Sequence, residues 1–190
     1  MTKINIAIFA SGSGTNAENI IKFFQNHEAA KVNLVLCNNS NAGVIEKVKK
    51  YNVPVYLFNK EYLKSGEVLK KLKENNTGFI VLAGFLWLMP SEIVTEYPDK
   101  IVNIHPALLP KYGGKGMYGM NVHQAVVENK ENESGITIHF VNEAYDQGNI
   151  IFQAKCPVYK NDKPEDVASR IHELEYEHFP QIIEMLVLQG

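Results

Sequence analysis

The sequence is poor in cysteine, in net charge and in long apolar runs. Cys37 and Cys156 are its only cysteines and stand far apart, which argues against a disulfide framework and a zinc site. The net charge of −2 gives no electrostatic reason to expect nucleic acid or an anionic membrane as a partner. The longest apolar stretch, residues 79–89, contains Gly84 and is too short to span a bilayer. We therefore expect no metal, no nucleic acid and no membrane partner.

What the chain does have is enough hydrophobic material for one well-packed domain. With 190 residues, 45% of them hydrophobic, it is long enough for one core and short for two. No repeat or linker interrupts it, so residues 1–190 are predicted to form a single domain. The apolar run 4–10 is similar to a signal-peptide core, but Asn5 interrupts it and a loop-to-helix transition follows. We interpret it as a first strand in a cytoplasmic protein.

Apolar strands and amphipathic helices alternate through the first half. Strands are predicted at residues 3–10, 32–37, 53–58, 79–83 and 101–105. Helices are predicted at residues 17–24, 44–51 and 68–72, and in a short segment capped by Ser91. Pro54 suggests that the third strand lies at a sheet edge. This alternation predicts an α/β fold with a doubly wound, mostly parallel, Rossmann-like sheet.

The second half follows a different pattern. Residues 136–141 and 150–159 are predicted strands with no helix between them, so we expect an antiparallel strand pair in this C-terminal part. A last long helix is predicted to begin near Asp162, with Pro164 in its first turn. Pro180 is expected to kink or split that helix.

Two polar residues lie at the end of the predicted strand 101–105. With period-two alternation, Asn103 and His105 point to one side of the sheet, and Val102 and Ile104 to the other. An amide and an imidazole aimed at one point offer hydrogen bonds to the oxyanion that develops in acyl transfer. The alternative is a strand end whose polar residues simply face solvent.

A glycine-rich loop, residues 11–16, precedes the first helix. Its backbone N–H groups and the helix dipole favour a phosphate group. Gly12, Gly14 and Ala17 also fit a dinucleotide fingerprint, but the second strand ends in residues 37–40 without the carboxylate that a ribose would need. A single phosphate is therefore the prediction, and a purely structural tight turn is the alternative.

Five segments together resemble the folate-dependent formyltransferases. They are SGSGTN at 11–16, AGFLWLM at 83–89, NIHPALLPKY at 103–112, SGITIHFV at 134–141 and YDQGNII at 145–151. The resemblance runs in unbroken order from residue 4 to about residue 183. The Asn-x-His-Pro element with a downstream Asp-x-Gly is specific to that superfamily, and the first loop points to members with a phosphoribosyl substrate.

The resemblance implies an activity and a set of site residues. The formyl donor would be 10-formyltetrahydrofolate as co-substrate, and the acceptor would be the amine of glycinamide ribonucleotide. The implied catalytic residues are Asn103, His105 and Asp146. Gly14, Thr15 and Asn16 would hold the phosphate, and Glu175 the ribose hydroxyls. The alternative for Glu175 is one more charge in the acidic surface run 173–177.

The resemblance also implies a folate slot and a supporting histidine. The slot would be lined by Leu86, Trp87, Leu88, Met89, Asn103, Val141, Asn142, Glu143, Ala144, Tyr145 and Asp146. Ordinary core packing is the alternative for residues 86–89. His139 would help to hold the Asp146 region or be a structural histidine. The other histidines are interpreted as surface or structural: His27, His123, His172 and His178. His172 is left open, because it lies three positions from Glu175.

The sequence departs from the family pattern in three places. Trp87 replaces a long basic or polar residue, and residues 112–121 are longer than the usual turn. The arginine that contacts the folate tail has no clear counterpart, and Lys60 is the nearest candidate. These departures concern the outer pocket rather than the chemistry.

No serine or cysteine lies among the implied catalytic residues, so we expect direct attack by the substrate amine without a formyl-enzyme. Asp146 is expected to keep His105 protonated and to relay protons through water. A formyltetrahydrofolate deformylase or a methionyl-tRNA formyltransferase would carry an additional domain, for which we expect no room. A non-catalytic nucleotide-binding module would leave Asn103, His105 and Asp146 unused. The active protein is expected to be a monomer or a homodimer.

Overall fold

A computed structural model describes residues 3–189 and shows one seven-stranded sheet. The strands are β1 Ile4–Ala10, β2 Ala30–Cys37, β3 Val55–Leu57, β4 Thr77–Leu82, β5 Ile101–His105, β6 Glu133–Phe140 and β7 Ile150–Pro157. The helices are α1 Thr15–Phe24, α2 Val44–Lys49, α3 Lys60–Lys64, α4 Glu67–Glu74, α5 Ser91–Glu96, α6 Met120–Glu128 and α7 Pro164–Gln189. None of these helices combines the length and the apolarity needed to cross a membrane.

The strand order is β3-β2-β1-β4-β5-β6-β7, and the first five strands of the chain are parallel. β6 is antiparallel to both β5 and β7, as expected for strands joined without a helix. The predicted mostly parallel, doubly wound sheet with an antiparallel C-terminal pair is confirmed. β3 lies at the sheet edge, where Pro54 supplies only its carbonyl, which accepts a hydrogen bond from Val35 N at 2.9 Å.

Alternation along β1 builds a core on each face of the sheet. Ile6 and Ile8 pack with helices α1, α2, α6 and α7, whereas Ala7 and Phe9 pack with α3, α4 and α5. All four side chains have no exposed surface. Because fully burying an isoleucine or phenylalanine contributes about 1.5–3 kcal/mol, this strand anchors both layers. The polar loops at its carboxyl end are thereby fixed on a rigid support.

Local details differ from the sequence predictions in four places. Helix α3 was not predicted, since its five residues bury only Leu63. β2 begins two residues earlier than expected. Ser91 is the first residue of α5 rather than its cap, because the preceding Pro90 is extended and no side chain caps the helix. Pro180 does not split α7, which continues to Gln189 with Pro180 buried against the core.

Candidate active site

A cleft of about 530 Å³ opens where β1, β4 and β5 end. These strands are parallel, so their carboxyl ends meet at one edge of the sheet, where ligands bind in open α/β folds. Loop 12–16, turn 83–86 and strand end 103–106 form one side. Residues 114–119, 145 and 146 form another, and helices α6 and α7 contribute His123, His172 and Glu175.

The first loop leads into α1 through Gly14. Its backbone is left-handed, with φ +76°, and it precedes the first helical residue without a side-chain cap. The N–H groups of the first helical turn therefore have no intrahelical partner and can donate to an anion. A side chain at this position would place Cβ 2.5 Å from Cα of Val44, so only glycine fits. Ser11 joins this loop to the β4 turn, accepting a hydrogen bond from Leu86 N at 3.1 Å.

Glu175 is a buried cleft residue and not a member of the acidic surface run. Glu175 is 5% exposed. One carboxylate oxygen accepts hydrogen bonds from Asn16 Nδ2 at 2.9 Å and from His172 Nδ1 at 3.0 Å. The hydrogen bond to Glu175 raises the pKa of His172 above its ordinary value, although burial opposes it. Asn16 thus links the glycine loop to α7, because its side-chain amide donates a hydrogen bond to Glu175.

The Asp146 carboxylate lies between Asn103 and His105. Its Oδ1 is 3.5 Å from Asn103 Nδ2, and its Oδ2 is 3.5 Å from His105 Nδ1. Both distances are longer than a good hydrogen bond, so the three groups converge without closing on one another. Gly114 N donates to Oδ2 at 2.9 Å and fixes the carboxylate from the loop side. All three residues line the cleft, so a substrate atom can approach them from its open side.

Both ring nitrogens of His105 face oxygen atoms. Nε2 donates to the carbonyl oxygen of Tyr112 at 2.7 Å, because a carbonyl can only accept. Burial lowers the pKa of His105, and the Asp146 charge and the Tyr112 carbonyl, which raise it, offset burial only in part. The imidazole is therefore mostly neutral at pH 7, with its proton on Nε2. This differs from the expectation that Asp146 keeps His105 protonated.

Asp146 is held ionised in an unusual backbone conformation. Burial by itself would raise its pKa, but the neighbouring His139 ring, the charge of His105 and the Gly114 N–H together lower it. Its φ is +55°, and the φ of Tyr112 is +57°. Left-handed residues other than glycine are uncommon and concentrate at functional sites. Two of them contact opposite sides of His105.

His139 orients the amide of Asn103. Its Nδ1 donates to the carbonyl oxygen of Phe140 at 2.8 Å, so its Nε2 accepts from Asn103 Nδ2 at 3.1 Å. The two residues are directly paired across β5 and β6. One N–H of the amide is used in this way, and the second is left for the cleft. The structure supports a positioning role for His139.

Thr137 holds the loop after His105. Its Oγ1 donates to Ala107 O at 2.7 Å and accepts from Leu109 N at 3.0 Å and from Gln153 Nε2 at 2.8 Å. The side chain is completely buried. The sequence analysis did not single it out, although it lies on the same predicted strand as His139.

The predicted folate residues occupy different positions. Leu86, Asn103, Tyr145 and Asp146 line the cleft. Met89 is buried in the core under α5, and Trp87 packs on the same core, with Lys60 Nζ 5.5 Å from its ring centroid. The others lie beside the cleft rather than in its lining: Leu88, Val141, Asn142, Glu143 and Ala144.

His123, His172 and the loop 114–119 line the cleft although none of them was predicted as a cleft residue. His123 is 2% exposed, and burial lowers its pKa to about 4, with the His172 charge adding to the effect. Its position beside Val122 and Val126 on the buried side of α6 was the available signal. Within residues 3–189, no three His, Cys, Asp or Glu side chains lie close enough together to hold a metal ion.

Comparisons with known proteins agree on one family. The Formyl transferase family matches residues 4–183. The chain is 38% identical to the chloroplastic phosphoribosylglycinamide formyltransferase of Arabidopsis thaliana, over 94% of this chain and 63% of that protein. It is 35% identical to the phosphoribosylglycinamide formyltransferase of Haemophilus influenzae, over 94% of this chain and 84% of that protein. The chain thus spans less than two thirds of the length of the Arabidopsis relative.

A solved structure extends the likeness to three dimensions. The crystal structure of phosphoribosylglycinamide formyltransferase from Anaplasma phagocytophilum superposes with a TM-score of 0.89 at 29% identity. The superposition covers 99% of this chain and 89% of that one.

Proposed function

The chain belongs to the formyl transferase family, and from that premise we propose that it transfers a formyl group from 10-formyltetrahydrofolate to the amine of glycinamide ribonucleotide, a step of de novo purine synthesis. The observation that carries the proposal is the position of Asp146 between Asn103 and His105, in the same cleft as the glycine loop. Acyl-transfer groups and a phosphate cradle in one cleft suit a phosphorylated acceptor.

The amine nitrogen attacks the formyl carbon, and the formyl oxygen becomes an oxyanion. The free N–H of Asn103 and a protonated Nδ1 of His105 donate to that oxyanion. Because the oxyanion adds a negative charge beside Nδ1, it raises the pKa of a histidine that is neutral in the free protein. The attacking nitrogen loses one proton through water toward Asp146, and the same water relay delivers a proton to N10 of the folate as the bond from the formyl carbon to N10 breaks. The oxyanion then re-forms the carbonyl of the new formamide, and His105 returns to solvent the Nδ1 proton that it took from solvent.

The substrate positions follow the cleft from end to end. Gly14, Thr15 and Asn16 receive the phosphate, and Glu175 receives the ribose hydroxyls. The folate enters beside Leu86 and Tyr145 and reaches the amide of Asn103. Trp87, Leu88, Met89 and residues 141–144 shape the slot from behind and from its rim. Lys60, beside Trp87, is placed to meet the acidic tail of the folate.

We also propose an assembly state and a cellular location. The chain acts as a single formyltransferase domain, as a monomer or a homodimer. Sedimentation at the enzyme concentrations used in the assay measures its oligomeric state. Two unpaired, buried cysteines support a reducing, cytoplasmic location. Cell fractionation tests that location.

One spectrophotometric assay tests the activity. Folate deformylation is followed with and without glycinamide ribonucleotide. Turnover that requires the ribonucleotide supports the transferase, whereas equal turnover without it identifies a formyltetrahydrofolate deformylase. No turnover in either case leaves only a nucleotide-binding module. With both substrates varied, the lines should intersect, because parallel lines indicate a formyl-enzyme.

A further inference from the structure

The cleft contains a negative charge that its phosphate loop does not balance. Asp146 and Glu175 are the two carboxylates in its lining. The loop 12–16 has only neutral side chains. A helix N-terminus supplies about half a positive charge, whereas a phosphate monoester carries about −1.5 to −2 at pH 7. His172 also lines the cleft, but its Nδ1 is hydrogen-bonded to Glu175, so the charge of the phosphate calls for a further cation.

Lys115 is the single lysine or arginine in the lining of the cleft. It lies on the loop 114–119, which the cleft separates from the glycine loop. Its side chain is exposed and forms no ion pair with any residue between 3 and 189. Lys111, which is near in sequence, is already bound to Glu131 and lies outside this cleft.

The backbone around Lys115 is not crowded by other residues. Gly114 and Gly116, on either side of it, have φ of +93° and +91°, and a Cβ at either position would meet nothing within 4 Å. Both glycines line the cleft, so the lysine side chain begins from an open stretch of its wall. The same segment touches the reaction centre, because Gly114 N donates to Asp146 Oδ2 at 2.9 Å.

We propose that Lys115 recognises the phosphate of the ribonucleotide across the cleft. This inference rests on the proposed function. Lys115 supplies the charge that the loop 12–16 lacks. Lys115 is a specificity residue and takes no part in bond formation.

The test combines a variant with a substrate that lacks the phosphate. A charge-assisted hydrogen bond is worth about 1.5–3 kcal/mol, so Lys115→Met should raise the KM for glycinamide ribonucleotide about 10- to 150-fold. The KM for the folate should not change, and kcat should fall less than about threefold, because the loss is mainly in binding. Lys115→Arg should restore most of the affinity. With the dephosphorylated riboside, wild type and Lys115→Met should have equal kcat/KM.

The matched control is Lys160→Met, which removes one charge from an exposed lysine outside the cleft. It should leave every constant unchanged. An unchanged ribonucleotide KM in Lys115→Met overturns the inference. So does an equal loss with ribonucleotide and riboside, since the lysine would then only support the loop.

Binding of ribose 5-phosphate separates this inference from the proposed function. If the wild type does not formylate glycinamide ribonucleotide, the proposed function fails, and calorimetry with ribose 5-phosphate decides about Lys115. Wild-type binding that weakens at least tenfold in Lys115→Met supports a phosphate site at Lys115. Equal binding by both proteins, or no binding by the wild type, contradicts it.

Discussion

Replacing Asp146 by asparagine is the most direct test of the reaction centre. The change keeps the shape of the side chain and removes its charge. Two unit charges 3.5 Å apart, the distance from His105 Nδ1 to Asp146 Oδ2, attract by about 5 kcal/mol at an effective dielectric constant of about 20. A loss of that size corresponds to between three and four powers of ten in rate. Because water and neighbouring dipoles recover part of it, we expect kcat to fall about 10²- to 10⁴-fold.

The hydrogen-bond pattern around Asp146 adds to this loss. Gly114 N and Asn103 Nδ2 are the N–H donors that approach its oxygens. An introduced amide keeps one acceptor oxygen and turns an N–H toward one of these donors. The substrate KM values should change little, because the interaction with a charged His105 forms in the transition state.

NMR gives an independent measurement on the free enzyme. Burial already lowers the pKa of His105, and the Asp146 charge is the largest effect that opposes it. Asp146→Asn should therefore move the His105 titration to still lower pH. The control is Asp162→Asn, which breaks a partly buried pair with Arg170 away from the cleft and should affect stability but not kcat. Normal turnover of Asp146→Asn, or an unchanged His105 titration, would refute the reasoning.

Three further changes probe the support of the site. Gly14→Val should raise the ribonucleotide KM more than about tenfold, since φ is +76° and Cβ would lie 2.5 Å from Val44 Cα. Thr15→Ser is its control and should change that KM by less than about threefold. Equal small effects of both variants would contradict the phosphate-loop assignment. Thr137→Val should lower the free energy of unfolding in urea by about 2–4 kcal/mol and also lower kcat, because Ala107 O and Leu109 N lose a buried partner. Thr77→Val is its control, since the buried Thr77 Oγ1 has no partner to lose, and an equal cost in both variants would count against the role of Thr137. The hydrogen bond from Lys50 lowers the pKa of Glu18 to about 2 in the folded protein. Ionised Glu18 therefore stabilises the fold at any pH above about 4.5, its pKa in the unfolded chain. That stabilisation is lost as the pH falls from 4.5 toward 2. Glu18→Gln should cost about 1 kcal/mol at pH 7, and the difference from wild type should shrink between pH 4.5 and 2; a difference that persists at pH 2 would have another cause.

The sheet could be predicted because each of its strands carries a local pattern. Residues 6–10 are buried without exception and alternate between two cores, which is what a continuous apolar run before a glycine loop indicates. The short helix α3 could not be predicted, since five residues with one buried leucine show no measurable hydrophobic period. Pro180 was misleading for a related reason. Packing of Phe179 and Ile183 against the core outweighs the missing hydrogen bond at one turn.

The site was predictable in its residue types but not in its contacts. Asn103 and Asp146 are 43 positions apart, and they meet because β6 turns back against β5. Asn16 and Glu175 are separated by 159 positions, and no period in the sequence links them. The neutral state of His105 was also out of reach, because it depends on how completely its surroundings exclude water. Such effects come from packing between distant segments.

In the proposed mechanism, His105 gains its charge as the reaction proceeds. Both ring nitrogens face oxygen acceptors, Tyr112 O and Asp146 Oδ2, which would suit an imidazolium. Burial nevertheless lowers the pKa of the ring, and these neighbours offset that effect only in part. An additional negative charge at the meeting point of the three groups raises the pKa of His105. The proposed oxyanion would supply that charge, so the strongest donor would form in step with the transition state and be absent from the ground state, which is the condition for lowering a barrier rather than tightening binding.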